Sequence, residues 1–538
     1  MKTGVFPTLI RINILRFIFC IFIVSHFSCM LDNSEKSLTI PDISIIPAPS
    51  KLNRHDGFFE ITPKTVILTD IGNGEVNAVG GYLAEMIEHA AGFTLQVKDR
   101  VDNIPNGAIV LTMDNASGIT NPEGYQLTVA KDTAMVTAQT PAGLFYGIQT
   151  IRQLLPLVID DINGAKDKIR LIMPCVTIED TPRFSWRGMH LDVSRHLFPK
   201  QFIMKFIDIM ALHKMNTFHW HLVDGAGWRI EIDRYPRLTE FGAWRVDTTG
   251  KRWDFTKILA PEVGDTRKPY GGFYTKDDIS EIVRYAEERF ITIVPEIEMP
   301  GHANAALASY PRYLCVNAEE TNREYRNSGV FCAGKEDTFT FLENILDEVF
   351  ELFPGTYLHI GGDEVAKRHW KVCPDCQKRI RNEGLADENE LQSYFIKRME
   401  KYLKLHNRKL IGWDEILEGG LAEDATVMSW RGMKGGVEAA SHRHDVIMTP
   451  EAMCYFNHYQ GNPELEPIAW GGFTPLNQVY AFDPVSDELT PEEGAYVLGA
   501  QGCVWSEFID TPELAEYMIL PRLSALAEVV WSSRDNRD

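Results

Sequence analysis

The sequence predicts an α/β fold: a (β/α)8 barrel of the TIM type preceded by a small α+β domain. Three observations support this prediction. The chain has 538 residues, more than one hydrophobic core usually holds. Its first part, residues 45–180, is rich in strand patterns. From residue 183 to 538, short apolar runs alternate with amphipathic helical stretches, which is typical of parallel βαβ units.

The barrel prediction depends on counting strands in the second part of the chain. Eight apolar runs are separated mostly by helical patterns, and eight is the barrel number. The predicted strands are Arg187–Val193, Asn216–Val223, Ile291–Ile297, Thr356–Ile360, Lys409–Trp413, Thr426–Trp430, Asp445–Thr449 and Val497–Val504. The predicted helices are Gln201–His213, Lys276–Arg289, Phe339–Leu352, Glu390–Leu405 and Gly435–Arg443. The segment Trp244–Tyr274 is predicted to be an insertion between barrel elements.

The first part has fewer and less regular elements. Its predicted strands lie at Thr65–Thr69, Ala108–Thr112 and Tyr125–Thr137, and its helices at Gly80–Ala91 and Pro141–Leu155. These patterns indicate a small α+β domain over residues 45–180. Residues 180–183 form a turn-like junction to the barrel.

Composition limits the class of partner. The net charge is −21 and the pI is near 5.2. Polyanions such as nucleic acids are bound through dense lysine and arginine stripes, which this sequence lacks. Nucleic acid is therefore not expected to be a partner.

The first 29 residues are predicted to be an export signal. Lys2, Arg11 and Arg16 precede an apolar run, Phe17–Val24, that has the length of a signal-peptide core rather than of a membrane span. Cys29 follows this run where a lipoprotein signal would end, so lipidation of Cys29 and plain cleavage both remain open. Residues 30–44 would form a tether. The protein is thus expected outside the cytoplasm, in the periplasm or as a lipoprotein of the outer membrane or cell surface.

Seven cysteines follow the signal. Cys373 and Cys376 have the spacing of a metal knuckle, but no second such pair is present, so a metal site is not expected. In an exported protein, disulfides within the pairs Cys373/Cys376 and Cys315/Cys332 are favoured instead.

Polar and aromatic residues follow the predicted barrel strands. In (β/α)8 barrels the active site lies at the carboxyl ends of the strands. Residues from at least six strand ends are therefore expected to converge on one site. They are Arg195, Asp224, Glu298, His302, Asp363, Glu364, Asp414, Glu415, Trp430, Trp505 and Glu507.

The residue types narrow the chemistry to glycosidic cleavage. No serine nucleophile elbow, phosphate loop or dinucleotide fingerprint stands in a suitable context. In the run HIGGDE, residues 359–364, two glycines allow a ligand to approach closely. Asp363 and Glu364 repel each other when both are ionised, so one is expected to hold its proton at neutral pH. A protonated carboxyl beside an anion is what glycosidic cleavage requires.

Five runs, in order, closely resemble the motifs of family 20 glycoside hydrolases, the β-N-acetylhexosaminidases. They are WRGMHLDVSRH (186–196), NTFHWHLVD (216–224), PEIEMPGH (295–302), HIGGDE (359–364) and WSE (505–507). The resemblance covers residues 183–531, and the preceding region is similar to the small domain that accompanies these barrels. It implies retaining exo-hydrolysis of terminal β-linked N-acetylglucosamine or N-acetylgalactosamine, in which the substrate's acetamido oxygen is the nucleophile and an oxazolinium ion forms.

The resemblance also implies roles for individual residues. Glu364 would be the general acid and later the base, and Asp363 would orient the acetamide. Arg195 would bind the 3- and 4-hydroxyls. Asp224 and His302 would support Glu364. The remaining predicted contacts are Trp413, Trp430 and Trp505 around the sugar, Tyr455 on the acetamide oxygen, and Glu507 and Asn457 on outer hydroxyls.

Two positions depart from the family pattern. After Asp224 this chain has Gly225 and Ala226, where the family has a second acid and then glutamine. Asn457 stands where many members carry aspartate, so the contact to O4 or O6 loses a charge. The preference between gluco and galacto sugars therefore stays open.

Two alternatives belong to other classes. His219 and His221 resemble an H-x-H metal site, which would suit a metal-dependent hydrolase barrel. The family's own motif explains both histidines as residues of the barrel wall. A non-catalytic sugar-binding barrel is disfavoured because Asp363 and Glu364 are both present. The expected partner is an oligosaccharide or glycoconjugate substrate, with no cofactor, no metal, and membrane contact only through a lipid anchor. The natural glycan and the oligomeric state stay open.

Overall fold

Eight parallel strands close into a barrel, which confirms the predicted fold class. The computed structural model describes residues 43–114, 118–156, 170–247, 269–315 and 329–537. Each barrel strand lies within two residues of its predicted bounds. The strands are β8 (Trp186–Asp192), β9 (Thr217–His221), β14 (Thr292–Glu296), β15 (Tyr357–His359), β16 (Lys409–Trp413), β17 (Thr426–Ser429), β18 (Val446–Met448) and β19 (Val497–Gly502), with β19 pairing to β8 to close the ring.

Amphipathic helices surround the barrel. The five helices predicted from periodicity are all present. The helix Lys276–Glu287 begins with a capping box in which Thr275 and Asp278 satisfy each other's backbone N–H groups. The larger helices are α3 (Lys200–Leu212), α5 (Lys276–Glu287), α7 (Glu336–Leu352), α9 (Pro374–Glu383), α10 (Glu388–Leu405), α11 (Lys434–Ser441), α15 (Pro512–Ile519) and α16 (Arg522–Trp531). The short ones are α4 (Arg237–Glu240), α6 (Asn304–Ser309), α8 (Arg368–Val372), α12 (Glu451–Cys454), α13 (Leu476–Ala481) and α14 (Pro491–Gly494).

A seven-stranded mixed sheet with two helices precedes the barrel. The strand order is β1-β7-β5-β6-β4-β2-β3. Both helices, α1 (Gly74–Ala91) and α2 (Pro141–Leu154), pack on this sheet. The strands are β1 (Lys51–Ile61), β2 (Val66–Thr69), β3 (Gln96–Asp99), β4 (Ala108–Met113), β5 (Tyr125–Val129), β6 (Thr133–Ala138) and β7 (Leu171–Asp180). The long strand predicted over residues 125–137 is thus the hairpin of β5 and β6.

Buried ion pairs join the sheet to the barrel. Arg187 donates to both carboxylate oxygens of Glu123, at 2.7 and 2.8 Å. Lys214 lies 2.9 Å from Asp180, and both side chains are fully buried. Removing one partner of a buried ion pair leaves the other charge buried and unpaired, which is strongly destabilising. These contacts therefore hold the N-terminal sheet against the barrel.

The barrel interior is filled by side chains from most of its strands. A cluster of Trp186, Val294, Ile411, Trp413, Met428, Ile447, Tyr455 and Cys503 occupies this space. This packing is that of a filled core rather than a pore. It also carries Trp413 and Tyr455 to the end of the barrel where the strands finish.

Two predicted segments lie wholly or partly outside the described residues. Residues 1–42, which include the predicted signal and most of the tether, lie outside the described residues. The predicted insertion contains an antiparallel pair of strands, β12 (Trp244–Val246) and β13 (Pro269–Gly271). Residues 248–268, which connect them, also lie outside the described residues.

A two-strand ribbon of β10 (Val223–Asp224) and β11 (Gly227–Trp228) follows β9. No helix within the described ranges is long and apolar enough to span a membrane.

Candidate active site

A cavity of about 290 Å³ opens at the carboxyl ends of the barrel strands. Ten of the eleven residues predicted to be catalytic or ligand-binding line it, and Asp224, the eleventh, lies directly behind Arg195 and His302. Glu298, Asp414 and Glu415, which were also expected to converge on the site, are buried and do not line the cavity. Glu451 and Trp470 were not predicted. Trp470 lies within the long connection between β18 and β19, and Glu451 begins the short helix that follows β18. The lining residues are Arg195, His302, Asp363, Glu364, Trp413, Trp430, Glu451, Tyr455, Asn457, Trp470, Trp505 and Glu507.

A larger groove of about 720 Å³ lies at the opposite end of the barrel. It is bordered by residues that precede or begin the strands, among them Asn216, Thr292 and Thr356. Its acids, Glu123 and Glu287, do not face a histidine or a group of tryptophans. Size alone therefore does not identify the site, whereas converging titratable groups do.

The two adjacent acids follow β15 on a strained turn. Gly361 and Gly362 have φ values of 72° and 92°, and Glu364 itself has φ 47°. A Cβ on Gly361 would lie 1.7 Å from Oε2 of Glu298, so only glycine fits there. Left-handed backbone at a residue other than glycine costs free energy and is concentrated at functional sites. The turn gives the acids different surroundings: the Asp363 side chain is 13% exposed and the Glu364 side chain 62%.

His302 connects the acids to a buried carboxylate. Its Nε2 lies 3.3 Å from Oδ2 of Asp363 and 3.5 Å from Oε2 of Glu364. Its Nδ1 lies 3.3 Å from Oδ2 of Asp224. Burial lowers the pKa of His302, but the charges of Asp224 and Asp363 outweigh it and hold that pKa well above its usual range. The imidazolium therefore stands between the two acids and reduces their mutual repulsion.

This arrangement changes the expectation that one of the two neighbours keeps its proton. The hydrogen bond from His302 lowers the pKa of Glu364, and burial, which raises it, does not compensate. Glu364 is thus ionised in the free site at neutral pH. The sequence pattern showed two acids side by side but not the cation that the fold places between them.

Replacing His302 is expected to move the pH profile. Glu364 must be protonated to act as an acid, so activity falls as the pH rises through its pKa. In His302→Gln the cationic imidazolium that lowers this pKa is replaced by a neutral amide, and the pKa rises. The basic limb of kcat/KM should therefore shift to higher pH, measured on a substrate whose cleavage needs a general acid. The exposed His442→Gln is the control, and an unshifted limb in His302→Gln would contradict this account.

Arg195 is fixed by three carboxylates around the cavity. Its Nη2 lies 2.7 Å from Asp224, and its Nη1 lies 3.3 Å from Asp192 and 3.8 Å from Glu507. Its guanidinium also lies over the Trp505 ring, 4.9 Å from the centroid. A guanidinium held in one orientation presents its donors in a fixed plane, which suits vicinal hydroxyls.

Two other acids near the site have raised pKa values. Burial, together with the charge of Asp363, raises the pKa of Glu298 well above its usual range. Burial and the same charge raise the pKa of Glu415 to about 8. Glu415 accepts a 2.9 Å hydrogen bond from Nε1 of Trp430. The raised pKa values favour the neutral carboxyl form of both Glu298 and Glu415 at pH 7.

Glu296 organises the floor of the site. Its carboxylate accepts a 2.9 Å hydrogen bond from Nε1 of Trp413 and lies 2.8 Å from Nδ1 of His359. His219 Nε2 is 3.1 Å from the same carboxylate, and His221 hydrogen-bonds to it directly. The remaining ring nitrogens of His219 and His221 face Gln501 and Asp224. The pair suggested by the H-x-H motif is therefore part of a wall network that orients Trp413.

Aromatic rings enclose the cavity beside Asp363. Trp430 and Tyr455 lie nearly parallel, with centroids 6.1 Å apart and an interplanar angle of 13°. Trp413 and Trp505 form a second pair at 5.7 Å. Such surfaces stack against sugar rings and pack around small apolar groups.

Three buried oxygens at the cavity have no hydrogen-bond partner among the described residues: Oδ1 of Asp363, Oδ1 of Asn457 and Oε2 of Glu507. Buried polar atoms normally have partners, and unpartnered ones at a cavity point to a ligand that bears hydroxyl or N–H donors. The cavity thus combines apolar surfaces with acceptors at separate positions.

A (β/α)8 barrel with paired carboxylates and tryptophans at its strand ends defines a carbohydrate-active hydrolase. Two family models match the chain. Residues 184–534 match the catalytic domain of glycosyl hydrolase family 20, and residues 42–181 match domain 2 of that family. The chain belongs to glycosyl hydrolase family 20.

Similar proteins carry consistent names. The chain is 45% identical over 524 residues to a beta-hexosaminidase of Porphyromonas gingivalis, covering 96% of this chain but 64% of that protein. It is 34% identical to a beta-hexosaminidase of Vibrio furnissii, covering 90% and 76%. This chain therefore spans less than two thirds of the first of these relatives.

Solved structures agree in fold. A GH20 exo beta-N-acetylglucosaminidase from Vibrio harveyi in complex with N-acetylglucosamine superposes with a TM-score of 0.80 at 30% identity, covering 92% of this chain and 74% of that one. A beta-N-acetylhexosaminidase from Bacteroides fragilis gives a TM-score of 0.75 at 32% identity, covering 92% of each.

Proposed function

We propose that this chain is a retaining exo-glycosidase that removes terminal β-linked N-acetylglucosamine or N-acetylgalactosamine from glycans, with the substrate's acetamide as nucleophile. The observation that carries the proposal is the unequal placement of two neighbouring acids on one histidine. Asp363 is buried among aromatic rings, whereas Glu364 is exposed at the rim of the cavity. A buried carboxylate suits the stabilisation of a positive charge that develops inside the cavity, which is the role proposed for Asp363. An exposed carboxyl suits proton transfer to the leaving group, which is the role proposed for Glu364.

The aromatic enclosure suits an acetamido group. Trp413, Trp430 and Trp505 offer apolar surface for its methyl, and Oδ1 of Asp363 is an acceptor for its N–H. In this proposal Tyr455, which also lines the cavity, donates its hydroxyl to the acetamide oxygen. Arg195 and Glu507 lie together at the cavity and supply donors and acceptors for ring hydroxyls. A sugar seated in this way has its anomeric carbon facing Glu364.

The reaction then proceeds in two steps. The acetamide oxygen attacks the anomeric carbon and forms an oxazolinium ion, while Glu364 gives its proton to the departing glycosidic oxygen. Asp363 stabilises the positive charge that develops on the acetamide nitrogen. Glu364, now ionised, takes a proton from a water molecule. That water attacks the anomeric carbon from the face that the leaving group left, and the oxazolinium ring opens. The configuration at the anomeric carbon is retained.

Substrate binding raises the pKa of Glu364, so that this carboxylate takes up from solvent the proton that it lacks in the free site. A sugar seated over Glu364 covers a side chain that is 62% exposed without it. Loss of water disfavours the charged carboxylate and raises its pKa, which counteracts the hydrogen bond from His302.

A matched pair of substrates tests the proposed activity. The 4-nitrophenyl N-acetyl-β-glucosaminide should be hydrolysed, and the corresponding β-glucoside, which has a hydroxyl in place of the acetamide, should not be. Neither His219 nor His221 holds a metal in this mechanism, so added divalent metal ions should not raise the activity of the purified protein. Equal turnover of both substrates, or activity that depends on added divalent metal, would overturn the proposal.

Asn457 is expected to adjust sugar preference. Its amide lines the cavity with Oδ1 unpartnered among the described residues, and an amide both donates and accepts where aspartate only accepts. Asn457→Asp should therefore change the ratio of gluco to galacto turnover, measured with the two aryl N-acetyl-β-hexosaminides. An unaltered ratio would place this side chain outside the sugar contacts.

We also propose that the mature protein is exported and that Cys29 is its lipid attachment site. The support is the charged start and short apolar run of the sequence. Cys29→Ala should release the protein from the membrane fraction of cells, because the acyl chains would be absent. Unchanged membrane association would reject the anchor, and a mainly cytoplasmic pool would reject export.

A further inference from the structure

Four cysteines from three separate segments converge beside the barrel. Cys315 follows a 3-10 helix at residues 311–313, Cys332 precedes α7, and Cys373 and Cys376 lie at the start of α9. None of the four is more than 3% exposed. Their sulfur atoms all lie within 4.8 Å of one another. The sequence placed Cys315 and Cys332 apart from the other two, and the fold brings them together.

The sulfur separations match a metal centre rather than disulfides. Sγ of Cys332 lies 3.7 Å from Cys373 and 3.6 Å from Cys376, and Sγ of Cys315 lies 3.9 Å from Cys376. Zinc–sulfur bonds of about 2.3 Å place the sulfurs of a regular tetrahedron about 3.8 Å apart. A disulfide requires about 2.05 Å and joins each sulfur to one partner. Cys332 has two equivalent neighbours, and all four cysteines are unbridged. The predicted disulfides within the two pairs are therefore wrong.

We propose that Cys315, Cys332, Cys373 and Cys376 bind one structural zinc ion through four thiolates. The Cys373–Cys376 spacing supplies two ligands from one turn, as in zinc knuckles. The other two ligands are the single cysteines Cys315 and Cys332. Their spacing in the sequence does not indicate that they lie next to Cys373 and Cys376. A fully protein-coordinated, buried site of this kind is structural, since it leaves no open position for substrate.

The surrounding backbone and charge suit this ion. Cys373 is the N-cap of α9 and Cys376 lies in its first turn, where the helix dipole favours thiolates. The Lys335 ammonium donates to the carbonyls of Arg312 and Leu314, which lie just before Cys315 in the chain, at 2.9 and 2.7 Å. Four thiolates and Zn²⁺ carry a net charge of −2, so a nearby cation is favourable. A Cβ on Gly334 would lie 2.1 Å from the carbonyl carbon of Asp375. The loop before α7 and the start of α9 are therefore packed so closely that only glycine fits between them.

The zinc would join the two loops that carry the catalytic groups. One loop follows β14 and holds His302, and the other follows β15 and holds Asp363 and Glu364. Phe331, next to Cys332, donates its N–H to the carbonyl of Pro300 at 2.9 Å. Its own carbonyl accepts a 2.9 Å hydrogen bond from Nε1 of Trp370. The ion therefore acts as a positioning element. Only this consequence for activity rests on the proposed function, and the metal site itself does not.

Metal analysis of the full chain tests the site independently of activity. Protein purified without chelator should contain one zinc per chain by inductively coupled plasma mass spectrometry. Cys332→Ser and Cys376→Ser should lose the zinc and melt at lower temperature. Cys175→Ser is the matched control, since this thiol is also buried but lies on β7 of the sheet. Zinc retained in Cys332→Ser and Cys376→Ser would overturn the proposal.

A measurement on the unmodified protein covers the case in which those variants do not fold. Denaturation in EDTA with an alkylating agent and no reductant should label all four cysteines, because a zinc site releases free thiols. Cobalt in place of zinc should give the intense visible bands of a tetrahedral thiolate site. Four cysteines blocked as disulfides, or four free thiols in a protein without metal, would each contradict the site. A protein that lacks zinc but hydrolyses the aryl substrate normally would refute the zinc proposal and leave the proposed function standing.

Discussion

Glu364→Gln should lower turnover of substrates with poor leaving groups by roughly 10²–10⁴-fold, the usual contribution of general acid catalysis. Glutamine keeps the size of the side chain but has no proton to give to the glycosidic oxygen. An aryl glycoside with an activated leaving group departs with little protonation, so its first step should be nearly normal. Turnover of that substrate should then be limited by hydrolysis of the oxazolinium ion, since Glu364 also acts as the base.

Kinetics on a series of aryl N-acetyl-β-glucosaminides with graded leaving groups measures this difference. Glu418→Gln is a suitable control, because this acid lies on the same side of the barrel but pairs with Lys367 and does not line the cavity. A uniform loss across the series would show that Glu364 does not act on the leaving group.

Asp363→Asn should slow good and poor leaving groups alike, by about 10²–10³-fold if its carboxylate acts as electrostatic stabilisation usually does. Attack by the acetamide accompanies departure of the leaving group in both cases, and it loses its electrostatic partner in both. The side chain is 13% exposed and lines the same cavity as Trp413, Trp430 and Tyr455, so water cannot readily replace its charge.

A thiazoline analogue of the oxazolinium ion gives a second readout for Asp363. It should bind the wild-type protein tightly and Asp363→Asn weakly, because ligands that resemble the transition state report interactions made beyond the ground state. Isothermal titration measures both affinities. Equal affinity for the two proteins would remove Asp363 from the charge-stabilising role.

Much of the fold could be predicted because barrel strands are buried on both faces. Runs such as those around Leu410 and Ile447 are continuous and apolar, and they alternate with amphipathic helices of regular period. The first strand of the N-terminal sheet was missed, since β1 (Lys51–Ile61) is largely exposed and polar. β7 (Leu171–Asp180) was also missed, and its proline, Pro174, interrupts the usual strand pattern.

The site was predictable where chemistry follows a strand. Arg195, Asp363 and Glu507 occupy such positions, and the cavity contains all three. Features that depend on distant segments were not predictable. The lowered pKa of Glu364 depends on His302, which comes from another strand end. The four-cysteine cluster requires the loops after β14 and β15 to meet, and no spacing in the sequence encodes that meeting.

The claim that the substrate's own acetamide is the nucleophile is tested most directly by fluorinating that group. Aryl N-acetyl-β-glucosaminides carrying one, two or three fluorines on the acetamide methyl have the same leaving group but a progressively weaker acetamide nucleophile. The rate constant kcat should fall steeply along this series, because the oxygen that attacks the anomeric carbon loses electron density. A rate independent of fluorination, together with a sugar ester trapped on Asp363 or another carboxylate, would contradict the mechanism.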